Sequence, residues 1–245
     1  PLGGAGAEAT GPNGAIVSFT VTATDNETLN PTVVFSHLSG SVFPLGMTPV
    51  EISATDEAGN VARATLFVTV ADTTPPLLAA PANITAEATS AAGAAVAFPP
   101  ASATDLVSAA PLIGYSQASG SVFPLGPTPV EVVAFDDIGN ASNAIFYITV
   151  VDTTPPTLTL TANITAEAAS PTGANVNFPA ATAIDLVTPT PAISYSQNSG
   201  TLFPVGVTTV NVTAADAVGN ARQGAFTITV NAATAGETAL KSANP

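Results

Sequence analysis

Six aspartates that recur with an 80-residue spacing are the residues best suited to chemistry in this sequence. They form three pairs, which are Asp72 and Asp152, Asp105 and Asp185, and Asp136 and Asp216. Carboxylate oxygens are preferred ligands of calcium, which takes six to eight oxygens. Because no Lys or Arg lies near these positions in the sequence, carboxylates brought together there would repel one another unless a cation bound between them. The sequence predicts calcium sites of the weak extracellular type, with dissociation constants of roughly 10⁻⁴–10⁻³ M.

A turn role is the alternative interpretation of the same aspartates. Asp136 and Asp137 precede Ile138, Gly139 and Asn140. An aspartate in such a turn accepts backbone N–H bonds with its carboxylate, and an aspartate in a linker can cap a turn. The spacing also differs from the dense ligand pattern of a calcium-binding loop. Both interpretations stay open at the level of sequence.

Enzymatic catalysis is not supported by the residues available. The single histidine, His37, is replaced by Gln117 and Gln197 at the equivalent positions, and there is no cysteine to act as a nucleophile. A Ser/His/Asp triad therefore could not be built more than once. The Gly-rich stretches lack the lysine of a phosphate-binding loop. We expect a protein that is not an enzyme, with His37 as an exposed strand residue.

The charge balance narrows the class of partner. Three Lys and Arg face 17 Asp and Glu in 245 residues, which gives a net charge of −14. Such a chain repels phosphate backbones and anionic lipids, so neither nucleic-acid binding nor membrane insertion is expected. There is no apolar run of about 18 residues. The N-terminus lacks the basic start and apolar core of a signal peptide, which indicates a mature or excised piece.

The elements that position the aspartates belong to a repeat of 80 residues. The octapeptide that begins at Ser39 returns at Ser119 and, varied, at Ser199, and the Gly-Asn pair at Gly59 returns with the same spacing. We predict domains at residues 1–71, 72–151 and 152–231, followed by a tail at 232–245.

Within each repeat the apolar residues alternate with period two, which indicates β-strands. Val130, Val132 and Ala134 share one face and Glu131 the other. Six or seven short strands in 80 residues predict an all-β chain of three tandem immunoglobulin-like β-sandwich domains in an elongated array, joined by stiff Pro-Pro linkers. In such a sandwich the loops after the second and sixth strands return to the pole where the chain enters. Each set of three aspartates should therefore meet at that pole.

The first repeat lacks the equivalent of residues 71–80. Residues 2–10 align with residues 81–89, so the first strand should be short or absent, and the Gly-rich replacement has weak strand propensity. One interpretation is an arbitrary boundary, with residues 1–3 as a remnant of cloning. The other is an open sheet edge completed by a strand from a neighbouring subunit. In the tail, Thr238, Ala239 and Leu240 could form part of a docking segment.

Five Asn-x-Ser/Thr sequons are candidate glycosylation sites in a suitable secretory system. They lie at Asn26, Asn83, Asn140, Asn163 and Asn211. Chance matches are expected because Asn and Thr are both abundant. The outward-facing threonines would also permit O-glycosylation, although Thr is simply a good strand former.

The ordered motifs resemble those of the hyalin repeat (HYR) family. They are Asp-Thr-Thr-Pro-Pro, Asn-Ile-Thr, a mid-repeat Asp, Ser-Gly-x-x-Phe-Pro-x-Gly, Ala-x-Asp-x-x-Gly-Asn and a final Ile/Val-Thr-Val. The resemblance implies an immunoglobulin-like fold in extracellular adhesive or matrix proteins, without catalytic activity. Animal members usually carry a cysteine pair, so this Cys-free chain is more similar to versions on bacterial cell surfaces.

We therefore expect a non-enzymatic, extracellular structural or adhesive segment that acts as a semi-rigid spacer or assembly unit at a cell surface. Its partners would be other copies of itself or other surface or matrix proteins. One alternative is a subunit of a self-assembling filament, with strand exchange at the open edge of the first domain. Another is a recognition module for a glycan or a protein, which would require an exposed aromatic cluster or an unusual loop.

Overall fold

A computed structural model describes residues 3–233 of the chain. The described residues form 22 β-strands and contain no helix, so none of them lies in a helix able to cross a membrane. The all-β prediction is confirmed. Of the cloning remnant predicted at residues 1–3, Pro1 and Leu2 lie outside the described residues, as does the predicted docking segment at residues 238–240.

The first β-sandwich is built from six strands. They are β1 (Ala5–Glu8), β2 (Ala15–Val17), β3 (Thr32–Phe35), β4 (Ser41–Phe43), β5 (Gly46–Thr55) and β6 (Val61–Ala71). One sheet has the order β1-β6-β5-β3 and the other pairs β2 with β4. Strand β1 runs parallel to β6, whereas β5 and β6 form a long antiparallel hairpin. Phe43, Val50 and Val68 are fully buried between the sheets.

The middle sandwich has eight strands. They are β7 (Leu77–Ala79), β8 (Ile84–Glu87), β9 (Ala94–Ala95), β10 (Ser102–Thr104), β11 (Leu112–Tyr115), β12 (Val122–Phe123), β13 (Gly126–Phe135) and β14 (Ala141–Val151). The larger sheet has the order β11-β13-β14-β8, and two smaller sheets pair β10 with β7 and β12 with β9. Strand β7, which precedes the parallel strand β8, has no counterpart among the described residues of the first sandwich.

The third sandwich repeats the middle one strand for strand. Its strands are β15 (Thr157–Thr159), β16 (Ile164–Glu167), β17 (Ala174–Asn175), β18 (Thr182–Ile184), β19 (Ala192–Tyr195), β20 (Leu202–Phe203), β21 (Gly206–Ala215) and β22 (Ala221–Asn231). The larger sheet has the order β16-β22-β21-β19, and β15-β18 and β17-β20 form the smaller ones. Leu158 and Leu160 pack against its core, whose centre includes Phe203 and Ile228.

The chain divides into two compact units. Among the described residues, the first comprises residues 3–83, Ala97–Ser119 and Pro129–Tyr147, and the second comprises Ile84–Val96, Gly120–Thr128 and residues 148–233. Asp72, Asp105 and Asp136 lie in the first unit. Asp152 and its equivalents lie in the second. The predicted domain boundaries after residues 71 and 151 remain predictions.

Alternation along the strands places the core as the sequence predicts. Val130, Val132 and Ala134 are fully buried on β13 while Glu131 is exposed. Burial of a valine side chain contributes about 1.5–3 kcal/mol, so this face is a main source of stability. Gly139, with φ of 96°, allows the turn between β13 and β14. Glycine is required at Gly93 for a different reason, because a Cβ there would lie 1.9 Å from the carbonyl oxygen of Phe123.

The start of the first sandwich differs from the sequence expectation in one respect. The Gly-rich stretch does form a strand, β1, because β6 supplies a complete parallel partner from Val68 to Ala71. Tertiary pairing therefore overrides weak strand propensity at this position. His37 also differs: it is exposed but lies in a bend after β3 rather than in a strand.

Candidate metal centre

The three aspartates of the first unit converge as predicted. Asp72 directly follows β6, Asp105 directly follows β10, and Asp136 directly follows β13. One carboxylate oxygen from each lies within 4.8 Å of the other two. Asp72 and Asp136 are buried and Asp105 is half-buried. Three carboxylates therefore meet at one point that water reaches poorly.

Asp136 and Asp105 also perform the turn role. Oδ1 of Asp136 accepts the N–H groups of Ile138, Gly139 and Asn140 at 3.0, 2.6 and 2.8 Å. Its Oδ2 accepts the side-chain amide of Asn140 at 2.6 Å. Oδ1 of Asp105 accepts the N–H groups of Val107 and Ser108, both at 2.8 Å. The two interpretations of the sequence are compatible, because each of these carboxylates holds its own loop and still contributes an oxygen to the group.

Asp72 is different, because half of its carboxylate has no partner. Oδ1 accepts the N–H of Thr74 at 3.2 Å. Oδ2 is buried and makes no hydrogen bond. A buried carboxylate oxygen without a hydrogen-bond partner is unfavourable, because the charged group has lost its hydration and gained no contact in return. This oxygen is the strongest indication of a missing positive charge at the site.

The pKa values of Asp72 and Asp136 shift in opposite directions, in line with their different hydrogen bonding. Burial raises the pKa of Asp72, and the negative charges of Asp105, Asp136 and Glu8 raise it further, against the lowering effect of the Thr74 N–H. For Asp136 burial also acts to raise the pKa, but the hydrogen bonds from Asn140 and the turn N–H groups outweigh it and the pKa is lowered. Asp136 is thus stabilised as an anion beside an Asp72 whose ionisation is opposed.

A glutamate that the sequence reasoning missed holds the linker after β6. The carboxylate of Glu8 accepts the N–H of Thr73 at 2.7 Å and the hydroxyls of Thr73 and Thr74 at 2.9 and 2.8 Å. These bonds lower the pKa of Glu8, the Thr73 N–H contributing most. On the other side, the amide of Asn140 donates to the carbonyl of Asp72 at 3.1 Å. The recurrence of Ala-Glu at the ends of the aligned strands was the available signal.

The second set of aspartates lies in the second unit and repeats most of these features. Oδ2 of Asp152 is also buried without a partner. Burial raises the pKa of Asp152, as do the charges of Asp185 and Asp216. The carboxylate of Glu87 accepts hydrogen bonds from Thr153 and Thr154, as the carboxylate of Glu8 does from the first linker. Among the described residues, however, only the Asp72 set has three ligand atoms within 4.8 Å of one another.

The donor set fits a hard cation. All three groups are carboxylates, and the chain has no cysteine. Oxygen ligands favour calcium or magnesium over zinc or copper, and calcium tolerates irregular arrangements better than magnesium does. Asp72, Asp105 and Asp136 would hold the ion, which would give the unpaired Oδ2 of Asp72 a partner and neutralise the repulsion.

The five sequon asparagines lie in different surroundings. Asn26, Asn83, Asn163 and Asn211 are exposed. Asn83 and Asn163 accept backbone N–H groups through Oδ1, from Tyr147 and Thr227, so these bonds do not use Nδ2. Asn140 uses its Nδ2 in two hydrogen bonds, to Asp72 and Asp136. A glycan on Asn140 would replace one of the two Nδ2 hydrogens, so at least one of these bonds would have to break. Glycosylation at all five positions stays a prediction.

Comparisons with known proteins agree on one family. The family model described as HYR domain matches residues 8–70, 71–150 and 151–230. Hyalin of Strongylocentrotus purpuratus is 36% identical over 219 residues, which cover 86% of this chain and 18% of that protein. Hyalin of Lytechinus variegatus is 35% identical over 231 residues, covering 90% of this chain and 43% of that protein. This chain thus spans less than half the length of either relative.

Solved structures with a similar arrangement include cadherin repeats. Drosophila N-cadherin EC1-4 aligns over 96% of this chain and 73% of its own, with 15% identity and a TM-score of 0.36. Mouse cadherin-23 EC22-24 aligns over 93% of this chain and 94% of its own, with 14% identity and a TM-score of 0.37. TM-scores of this size support no inference about the site.

Proposed function

The chain belongs to the HYR domain family, and from this premise we propose that it is a non-enzymatic, extracellular adhesion-type segment whose linkers are stiffened by bound calcium. Its mechanism is mechanical: sandwiches in series space or link other molecules at a cell surface. Its partners are further copies of itself or other surface or matrix proteins. The bacterial source suggested by the lack of cysteines stays a prediction.

One observation carries the calcium part of the proposal. The buried Oδ2 of Asp72 has no hydrogen-bond partner and belongs to a carboxylate set whose oxygens lie within 4.8 Å of one another. Calcium would pair with that oxygen. It would also connect the linker, through Asp72, to the two loops that carry Asp105 and Asp136. A linker tied to the sandwich that follows it transmits force better than a free one.

Contacts that need no metal support the spacer role. Glu8 ties the first linker to β1 through Thr73 and Thr74, and Asn140 ties it to the turn after β13. Val107 packs against the core that contains Phe43 and Val68. The first and third sandwiches each have a hydrophobic core, so one could open without unravelling the other.

The surroundings of the single histidine support a non-enzymatic role. Nδ1 of His37 lies 3.2 Å from Oγ of Ser36, and its ring lies beside Phe43 with 5.9 Å between ring centres. His37 is exposed on a bend. A serine directly adjacent in sequence does not make a triad, which also needs a carboxylate that orients the histidine.

The filament alternative, with strand exchange at the open edge of the first domain, stays a prediction. The alternative of a glycan- or protein-binding module stays a prediction.

Thermal melting with and without calcium tests the first proposal. With a dissociation constant of about 10⁻⁴ M, 10 mM calcium should stabilise the folded chain by about 2.7 kcal/mol relative to chelator. Asp72→Asn should remove most of this gain. The matched control is Asp137→Asn, which removes an exposed neighbouring charge that does not belong to the set.

Two outcomes would contradict the calcium proposal. One is a melting temperature that calcium leaves unchanged at 10 mM. The other is an equal loss of the calcium response in both variants, because that result would indicate general screening of negative charge rather than binding by Asp72.

A further inference from the structure

The larger sheet of the middle sandwich carries a group of large apolar side chains on its solvent-facing side. Alternation along β13 and β14 directs Val133, Phe135, Ile145 and Tyr147 away from the core. Leu112 of β11 stands directly opposite Phe135. The exposed fractions are 73% for Leu112, 42% for Phe135, 58% for Ile145 and 46% for Tyr147. These five residues, which all belong to the first compact unit, form what we term the apolar band.

The corresponding positions of the other two sandwiches carry polar or small residues, with one exception. The first sandwich has Thr32, Ser53, Thr55, Thr65 and Phe67 there, and the third has Ala192, Thr213, Ala215, Ala225 and Thr227. Only Phe67 keeps a large apolar side chain, and the first sandwich exposes Val34 and Met47 elsewhere on the same face. The fold therefore does not require the band, because the other two larger sheets form without it.

One carboxylate lies within the band and lacks the hydrogen-bond partner that its counterpart has. Glu131 is exposed on β13, and the register of the two equivalent hairpins places it opposite Ile145. In the first sandwich the equivalent Glu51 accepts the hydroxyl of Thr65, which lies 3.2 Å from both carboxylate oxygens. Ile145 has no hydroxyl to donate, and no other described residue donates to the carboxylate of Glu131.

The chain has no cation placed to pair with Glu131. No Lys or Arg lies between Arg63 and Arg222 in the sequence, so the middle sandwich carries none. A partner that covers the band removes water from this carboxylate, which is unfavourable unless the partner supplies an opposite charge. Charge complementarity therefore requires Lys or Arg at the centre of the partner surface, with apolar side chains on either side of it.

A second copy of the chain does not meet this requirement. Each copy has a net charge of −14, and a two-fold contact through the band would bring two copies of Glu131 together. The exposed side chains of the band offer on the order of 500 Å², whereas a stable interface of standard size buries about 800 Å² on each partner. This area suits a short polypeptide segment.

We propose that the apolar band binds an extended polypeptide segment of another surface or matrix protein, with Arg or Lys between two apolar residues. In such a segment every second side chain points to the same side, with a spacing of about 6.7 Å. The cation would meet Glu131. One apolar residue would contact Tyr147, and the other would contact Val133 and Phe135. This inference rests on the adhesion function proposed above and names the surface and the chemistry of the partner.

Selection from a displayed library of random heptapeptides on the immobilised full chain tests the partner chemistry. Enriched peptides should carry Arg or Lys with an apolar residue two positions away on each side. The matched control is the double variant Phe135→Ala with Tyr147→Thr, which takes the residues that the third sandwich has at these positions, Ala215 and Thr227. Its melting temperature reports whether it is folded. No enrichment on the unmodified chain, or the same pattern on the folded control, would overturn the proposal.

Titration calorimetry with one enriched peptide separates the charge from the apolar contacts. Glu131→Gln should weaken binding two- to fivefold, as expected for an exposed ion pair. Tyr147→Thr should weaken it roughly tenfold. Glu51→Gln removes an equivalent charge in the first sandwich and should bind like the unmodified chain. Equal losses in Glu131→Gln and Glu51→Gln would indicate a general effect of net charge and would overturn the assignment to the band.

Other occupants of the band would give different results. Sedimentation velocity detects a second copy, and self-association that the double variant abolishes would overturn the polypeptide partner. Cellohexaose, a neutral glycan, should not bind, and binding that Glu131→Gln leaves unchanged would overturn it as well. Failure of the calcium proposal is read separately, from the melting temperature of the unmodified chain with and without calcium. A chain that responds to calcium but enriches no peptide would overturn only the inference about the band.

Discussion

The two linkers that follow β6 and β14 carry the same five residues, Asp-Thr-Thr-Pro-Pro, and make nearly the same contacts. In each linker a threonine donates hydrogen bonds to a glutamate, Glu8 for the first linker and Glu87 for the second. Each linker also carries an aspartate whose Oδ2 is buried and makes no hydrogen bond. Yet three ligand atoms come within 4.8 Å of one another only in the Asp72 set, among the described residues. An identical linker sequence thus does not by itself determine the distance between carboxylates.

The residues around the two linkers differ more than the linkers do. Asp137 stands next to Asp136, whereas Ala217 stands next to Asp216. Ser108, which is buried, accepts the N–H of Asp137 at 2.9 Å, and the less buried Thr188 accepts the N–H of Ala217 at 3.1 Å. The loops that flank the two linkers therefore differ in one exposed charge and in the length of one hydrogen bond, although the linker motif is the same.

The largest effect should come from removing the turn aspartates, a change that tests what the two regions share. Asp136→Ala and Asp216→Ala each leave three turn N–H groups and an asparagine amide without their acceptor. We expect each to lower the melting temperature by on the order of 10 °C. Calorimetry of both variants checks this, with Asp137→Ala as a control of small effect. A small change at either turn aspartate would contradict the shared role.

A smaller change in melting temperature should follow from neutralising the linker aspartates, measured with a chelator present so that no calcium is bound. The pKa values of Asp72 and Asp152 are raised, so their ionisation opposes folding above the raised pKa. Asp72→Asn and Asp152→Asn should therefore increase the melting temperature at pH 7, by about 5 °C. The gain should vanish as the pH falls below the unfolded value of about 3.9, because the native side chain is then protonated too. A gain independent of pH would contradict this account.

The opposite pH dependence of stability is expected for four other carboxylates, because their pKa values are lowered. They are Glu8, Glu87, Asp136 and Asp216. Their contribution to stability is complete above the unfolded pKa and is lost as the pH falls through the folded one. In acid the unmodified chain should therefore lose the stability that these four groups contribute. Protonation of Asp72 and Asp152 should act in the opposite direction, because it removes two charges whose ionisation opposes folding.

The smallest effect should come from giving the second linker the extra charge of the first. Ala217→Asp supplies the counterpart of Asp137, and in an Asp72→Asn background it should strengthen calcium binding at the Asp152 set roughly two- to fivefold, as expected for an exposed charge. Titration calorimetry measures the affinity, and Ala217→Asn is the uncharged control. Equal affinities for the two variants would show that this neighbouring charge is not what separates the sites.

Much of this fold could be predicted from the sequence because strand alternation is a local signal. The buried faces of β13 and β21 follow directly from their period of two, and Gly139 identifies the turn between β13 and β14. The convergence of Asp72, Asp105 and Asp136 was also predictable, since loop positions in a sandwich follow from strand order. What could not be predicted was the orphan Oδ2 of Asp72, because burial of one oxygen depends on atoms from several strands.

Other features depend on partners far apart in the chain. Glu8 contacts Thr73 across 65 residues, and Asn140 contacts Asp72 across 68. No local pattern reveals such pairs. The Gly-rich β1 likewise forms because β6 offers it a parallel partner, against its own propensity.

The amino-acid sequence alone determined the repeat, the strand faces and the identity of the recurring aspartates, because these depend on residue type and on short-range periodicity. Tertiary structure decided which carboxylate oxygen was left without a hydrogen-bond partner and which linker aspartate came together with two others. Those properties depend on distances between separate loops, which the shared motif does not encode.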